Sequence, residues 1–222
     1  MREEIKKGFK LARYGDGRTV SVIMAVVFLV LGTLIELFPV EAMRMMPVDA
    51  GCILLLCVEM FLPQLTLSVA IAQMAQVSPC KRAIQTRYVA EMHVVGMLVM
   101  DVWIMLMRLV SAVCRKDWSM LSGESLLFIG IWTFILLCFN GICYKVFFLS
   151  MILLYVLMFS MGFLVAVGKI VFPPVSIHPL VAILTVVVLD VLGGCIQYGI
   201  ARLFYKFPLS KAAFAMSAPK EM

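Results

Sequence analysis

Charge is what this sequence has least of: Asp, Glu, Lys and Arg make up 14% of its 222 residues, against 64% hydrophobic ones. A water-soluble domain of that length cannot bury so much apolar surface, so lipid must be part of its solvent. Also missing is the dyad alternation, in runs of about ten residues, that a membrane β-barrel shows. No Gly-x-x-x-x-Gly-Lys-Ser/Thr run and no Gly-x-Gly-x-x-Gly occurs, so no nucleotide-binding loop is expected in this chain. Gly-x-Ser-x-Gly and His-Glu-x-x-His are absent as well. Glu91 and His93 are two apart, hence on different faces of a helix. Enzyme chemistry, a catalytic residue and a metal site are therefore not expected. The seven cysteines (52, 57, 80, 114, 138, 143 and 195) form no Cys-x-x-Cys pair and no Cys/His cluster. They read as small apolar packing residues rather than ligands or disulfides.

What the chain does have is six apolar stretches, at 19–38, 51–77, 88–113, 125–144, 146–168 and 180–201. Each reaches the length of about 20 residues that a helix needs to cross the hydrocarbon core. The expected fold is all-α: a polytopic membrane protein with six transmembrane helices over 19–205. The first stretch reads as a helix rather than a signal peptide, being longer than a signal's apolar region and ending in Glu-Leu-Phe-Pro without a small-x-small site. Three prolines, Pro173, Pro174 and Pro179, exclude a continuous helix between the fifth and sixth spans.

Lysine and arginine placement predicts the orientation. With both termini inside, fourteen of the nineteen basic residues are cytoplasmic, and only Arg44, Arg108, Arg115, Lys116 and Lys169 are towards the outside. The formal charge of +6 then reflects topology and contact with anionic lipid, not nucleic-acid binding. Residues 1–18 carry Ile5 and Phe9 on one helical face and Lys6, Lys7 and Lys10 on the other. That is the pattern of an amphipathic helix lying in the headgroup layer, although a basic tail that merely sets topology would read similarly. Residues 206–222 form a cytoplasmic tail.

The link between the second and third stretches, residues 77–88, reads Val-Ser-Pro-Cys-Lys-Arg-Ala-Ile-Gln-Thr-Arg-Tyr. Ser78 suits an N-cap and Pro79 a first helical position, so a helix is expected over 78–87. This segment resembles the cytoplasmic link of the ABC-2 class of ATP-binding-cassette permeases, where a Pro-x-x-Arg-like helix precedes a Lys/Arg-Tyr approach to the third span. In that family it is the coupling helix, which docks into a groove of the ATPase. The resemblance implies docking through Ser78, Pro79, Lys81, Arg82, Ala83 and Ile84, with Lys81 and Arg82 meeting acidic groups and Ile84 serving as an apolar plug. It also makes residues 1–18 the family's elbow helix. ATP and Mg2+ would then belong to a separate ATPase subunit, with no cofactor in this chain, and the permease would pair with a second copy of itself. Small bacterial exporters of amphipathic peptide toxins are the nearest comparison within the class. The bland alternative is a basic link that only obeys topology.

Polar residues inside the spans hold the remaining information. Glu59, Thr66 and Gln73 recur every seven residues, beside Pro63. Asp101 is near mid-depth in the third span, with Arg108 on the same face. Asp190 shares a face with Gly193, Gly194 and Gln197 in the sixth. Charges at depth cost at least about 2.5 kcal/mol each, so these groups face protein or water. They either line a transport path or bond one helix to another. As isolated residues they are not expected to carry protons. Methionines at 97, 100, 105 and 107 suit a greasy cavity or plain core filling. The expected function is the permease subunit of an ABC exporter for a peptide, lipid or drug in a bacterial-type cytoplasmic membrane. The alternatives are a substrate-binding subunit of a micronutrient importer and a non-transporting scaffold or immunity protein.

Overall fold

The computed structural model describes residues 18–38, 50–61, 77, 79–141, 152, 156 and 177–206. The expected elbow residues Ile5, Lys6, Lys7, Phe9 and Lys10 lie outside these, as do Thr66, Gln73, Ser78, all but 152 and 156 of the stretch 146–168, and the tail from 207. The described residues form helices joined by turns, with no strand among them. In chain order they are α1 (Arg18–Leu37), α2 (Ala50–Glu59), α3 (Lys81–Ala83), a π-helical turn (Ile84–Tyr88), α4 (Val89–Arg115), a 3₁₀ turn (Trp118–Leu121), α5 (Gly123–Asn140) and α6 (Pro179–Phe204). Four helical stretches are long and apolar enough to cross a membrane: Thr19–Leu37, Lys81–Arg115, Gly123–Asn140 and Pro179–Phe204. Their outward faces agree with a lipid surround. Val20, Ile23 and Val26 of α1, Val99 and Val102 of α4, and Leu180 and Leu184 of α6 are all exposed.

Small residues set the helix crossings. Gly32 of α1 meets Gly51 of α2 so closely that a methyl on Gly51 would fall on the Glu36 backbone and 2.8 Å from the Gly32 carbonyl oxygen. On α6, a methyl on Gly194 would collide with the Val94 side chain of α4, and one on Gly193 would come within 3.0 Å of Leu137 on α5. Without a hydrophobic drive in lipid, such close backbone approach is what holds helices together. Helices α5 and α6 run parallel: Gly123 touches Ile177, Gly130 touches Val186, and Gly141 touches Ile200.

Turn chemistry fixes the helix ends. Lys116 takes a left-handed conformation (φ 58°) to close α4. Ser122 caps α5 by accepting from the Ser125 amide, and His178 caps α6 through Nδ1, with Pro179 in the first turn. The last carbonyls of α1 are capped by α4: Ser111 Oγ donates to the Glu36 carbonyl at 2.9 Å, and Arg115 donates to those of Glu36 and Leu37 at 3.1 Å. These orphan acceptors of a helix end are thereby satisfied without water.

In the expected coupling helix over 78–87, the helical conformation begins at Lys81. Pro79 and Cys80 form a turn, and the chain is then helical without a break from Lys81 to Arg115, 35 residues in all. The physical reason is the absence of any proline or glycine between Lys81 and Val95, so nothing interrupts the ladder. The π turn takes up one surplus residue, and the Thr86 hydroxyl donates to the Arg82 carbonyl at 2.6 Å beside it. Lys81 and Ala83 are half-buried and Arg82 is exposed, but Ile84 is buried within the chain, so the expected apolar plug faces inward.

Candidate functional site

Helices α2, α4 and α6 each bring one carboxyl into the interior of the bundle. Their ends at Ala50, Arg115 and Pro179 lie at one end of the bundle, near Leu37. With a rise of about 1.5 Å per residue, Glu59 is about 13 Å in from that end, Asp190 about 16 Å and Asp101 about 21 Å. All three are fully buried, at 0%, 0% and 2% exposure. Asp101 and Asp190 face one another, and Glu59 is close enough to interact with both. From α5, the Thr133 hydroxyl donates to Asp190 Oδ1 at 2.7 Å. Asp101 and Asp190 are hydrogen-bonded to one another, and neither oxygen of Glu59 has a hydrogen-bond donor among the described residues.

The acid layer is sealed on both sides. Towards the Leu37 end lies an apolar cluster of Cys52, Leu55, Leu56, Ile104, Leu126, Ile129 and Ala182. On the other side Met97, Leu136 and Leu137 pack together, with Met60 and Val94 against them. Beyond each apolar cluster comes a second polar contact. Arg108 Nη1 is 3.7 Å from Glu36 Oε1, both side chains being buried. At the opposite end the buried Gln197 Nε2 and His93 Nδ1 are hydrogen-bonded at 2.7 Å. The bundle therefore alternates polar and apolar layers along its length.

Placement separates the roles that the sequence left open. Gln197 bonds one helix to another, as Gln residues in membrane helices commonly do. Arg108 shares a face with Asp101 but is held by Glu36 of α1. Glu59, Asp101 and Asp190, by contrast, meet one another and have no base among them. Three partners were missed: Glu36, His93 and Thr133. Glu36 ends an otherwise uncharged apolar stretch and could have been matched to Arg108, the one Lys or Arg inside a stretch. His93 and Thr133 carry no distinguishing signal in one sequence. Among the described residues no group of His, Cys, Asp or Glu is arranged to hold a metal ion, and the described cysteines are free thiols.

No family model matches the chain, and neither does any curated protein or solved structure. The fold and the sealed layer define a helical bundle with helices suited to a membrane and a carboxyl cluster at its core.

Proposed function

We propose that this chain is the membrane-spanning permease subunit of an ATP-driven ABC exporter, moving an amphipathic or apolar substrate with energy from a separate ATPase subunit. The observation that carries the reading is mechanical. One unbroken helical rod holds the basic tip Lys81–Arg82 at one end and Asp101 about 28 Å further along. A push on the tip reaches the acid layer without passing through a flexible joint. The resemblance of residues 77–88 to the ABC-2 coupling segment gives the tip its partner, and Pro79, Cys80 and Arg82 are exposed for it.

Six spans and a cytoplasmic tip belong to the same proposal. Because α5 and α6 run parallel, the chain between Gly141 and Ile177 has to return over the length of the bundle. Residues 146–168 are uncharged and long enough to do so as a span. A bundle of this size is narrow, so two copies with a path between them are the expected assembly, and closed two-fold pairing is the commonest solution.

Affinity purification of the tagged full chain from its native membrane, in mild detergent, tests the proposal. A polypeptide containing a Gly-x-x-x-x-Gly-Lys-Ser/Thr run should co-purify, with two permease copies in each particle. Recovery of the chain with a soluble binding component and no exporter-type partner would favour the importer alternative. Recovery of the chain alone, from membranes shown to hold the assembled protein, would count against any ABC role.

A further inference from the structure

The outer groove between α4 and α6 joins a basic end to an apolar wall. The two helices run in opposite directions and touch where Gly194 meets Val94. Gly193 faces Leu137 of α5, so the flank of α6 on the other side of Gly194 borders α4 and the lipid surround. Arg202 is on that flank: it comes eight residues after Gly194, about 80° further round, and is exposed. Arg87 comes seven residues before Val94, on nearly the same face of α4. Its side chain is 52% exposed, while its Nε donates to Glu91 at 2.9 Å. Both arginines are therefore about 10–12 Å from the Gly194–Val94 contact, in the same direction. Glu91 is the one acid in residues 79–98 and 194–206. Arg82 and Lys206 are exposed about 6–8 Å further out, beyond the groove.

On the other side of the contact the groove is apolar. Val102 of α4 and Val187 and Val191 of α6 are on the same outer flanks, at 64%, 41% and 49% exposure. From Arg87 to Val102 is about 22 Å along the helix. That matches one leaflet with its headgroup, about 20–22 Å deep. We propose that this groove holds one anionic phospholipid, its phosphate between Arg87 and Arg202 and an acyl chain along Val102, Val187 and Val191. Arginine meets phosphate through paired, charge-assisted hydrogen bonds, and basic pockets between membrane helices take such headgroups. Whatever covers the two arginines must also accept the apolar wall that continues from them. A phospholipid does both, whereas an acidic water-soluble protein does only the first. The proposal needs the membrane setting of the bundle and is independent of the ATPase.

Native mass spectrometry of the full chain tests this, titrating dioleoylphosphatidylglycerol against dioleoylphosphatidylcholine, which differ in headgroup charge but not in chains. Wild type should retain the anionic lipid at least about tenfold more tightly, saturating at one tightly held molecule per chain. Arg87→Gln with Arg202→Gln should remove that preference, and Arg87→Lys with Arg202→Lys, which keeps the charge, should restore part of it. Lys81→Gln with Arg82→Gln removes the same charge outside the groove and should leave the preference unchanged. Helicity equal to wild type in each variant shows that the bundle is intact. Equal retention of the two lipids by wild type, or equal losses in the two Gln pairs, would overturn the groove and leave only diffuse attraction between basic residues and lipid. An unchanged lipid preference in the Arg87 and Arg202 variant, with ATPase binding lost instead, would assign these arginines to a protein contact and overturn it too.

Discussion

Removing Arg108 should destabilise the bundle more than any exposed charge change, and removing Glu36 with it should recover most of the loss. The pair is buried at 1% and 0% exposure and separated by 3.7 Å. At that separation and an effective dielectric constant of about 20, their gross attraction is about 4 to 5 kcal/mol. Arg108→Met fills similar volume but leaves the Glu36 carboxylate buried without its cation, and breaking such a pair costs about 3–5 kcal/mol. Glu36→Gln with Arg108→Met removes both charges and should cost about 1–2 kcal/mol, because replacing a whole buried pair is far milder than halving it. The Ser111 and Arg115 bonds to the Glu36 carbonyl are backbone contacts and survive both changes. Equilibrium unfolding in a mixed detergent series, followed by helicity, gives the three stabilities. Single and double variants of equal stability would refute the pairing and free Arg108 to be a counter-ion of the acid layer instead.

Three further outcomes follow from the same geometry. Gly51→Ala should lower stability by about 1–3 kcal/mol, since the new methyl meets the backbone of Glu36 and Gly32, which cannot swing aside; unchanged unfolding would contradict the α1–α2 crossing. Lys81→Glu with Arg82→Glu should weaken ATPase association or uncouple hydrolysis from transport while leaving insertion intact, whereas a basic-to-acidic change at Lys116, at the other end of the same rod, should not affect the ATPase; normal ATPase binding by the first variant would remove the docking role. Cys80, exposed beside the tip, should react with a membrane-impermeant maleimide in inside-out vesicles and be protected in intact cells; the reverse pattern would invert the topology.

Much of the bundle was legible because lipid imposes a simple rule: apolar length. The stretch 19–38 matches α1, and 180–201 falls within α6. Glu59, Asp101 and Asp190 stood out individually, since an acid within an apolar stretch is rare for energetic reasons. Their meeting was not legible. It depends on which face each helix turns inward, and that is set by crossings such as Gly194 on Val94 and Gly193 on Leu137, between residues far apart in the chain. The link over 78–87 was legible in part. Ser78 and Pro79 carried a start signal, yet helix continuity through Thr86 and Tyr88 depended on a π turn, which leaves no mark in composition. His93 was read only as lying on a different face from Glu91, and its contact with Gln197, 104 residues away, gives it a role in holding α4 to α6.

The most direct test of the account is binding of the co-purifying ATPase to the full chain in vesicles, wild type against Lys81→Glu with Arg82→Glu. Wild type should bind the ATPase and change its rate of hydrolysis, and the reversed tip should bind it at least about tenfold more weakly. Equal binding and hydrolysis with either tip would contradict a permease driven through Lys81 and Arg82.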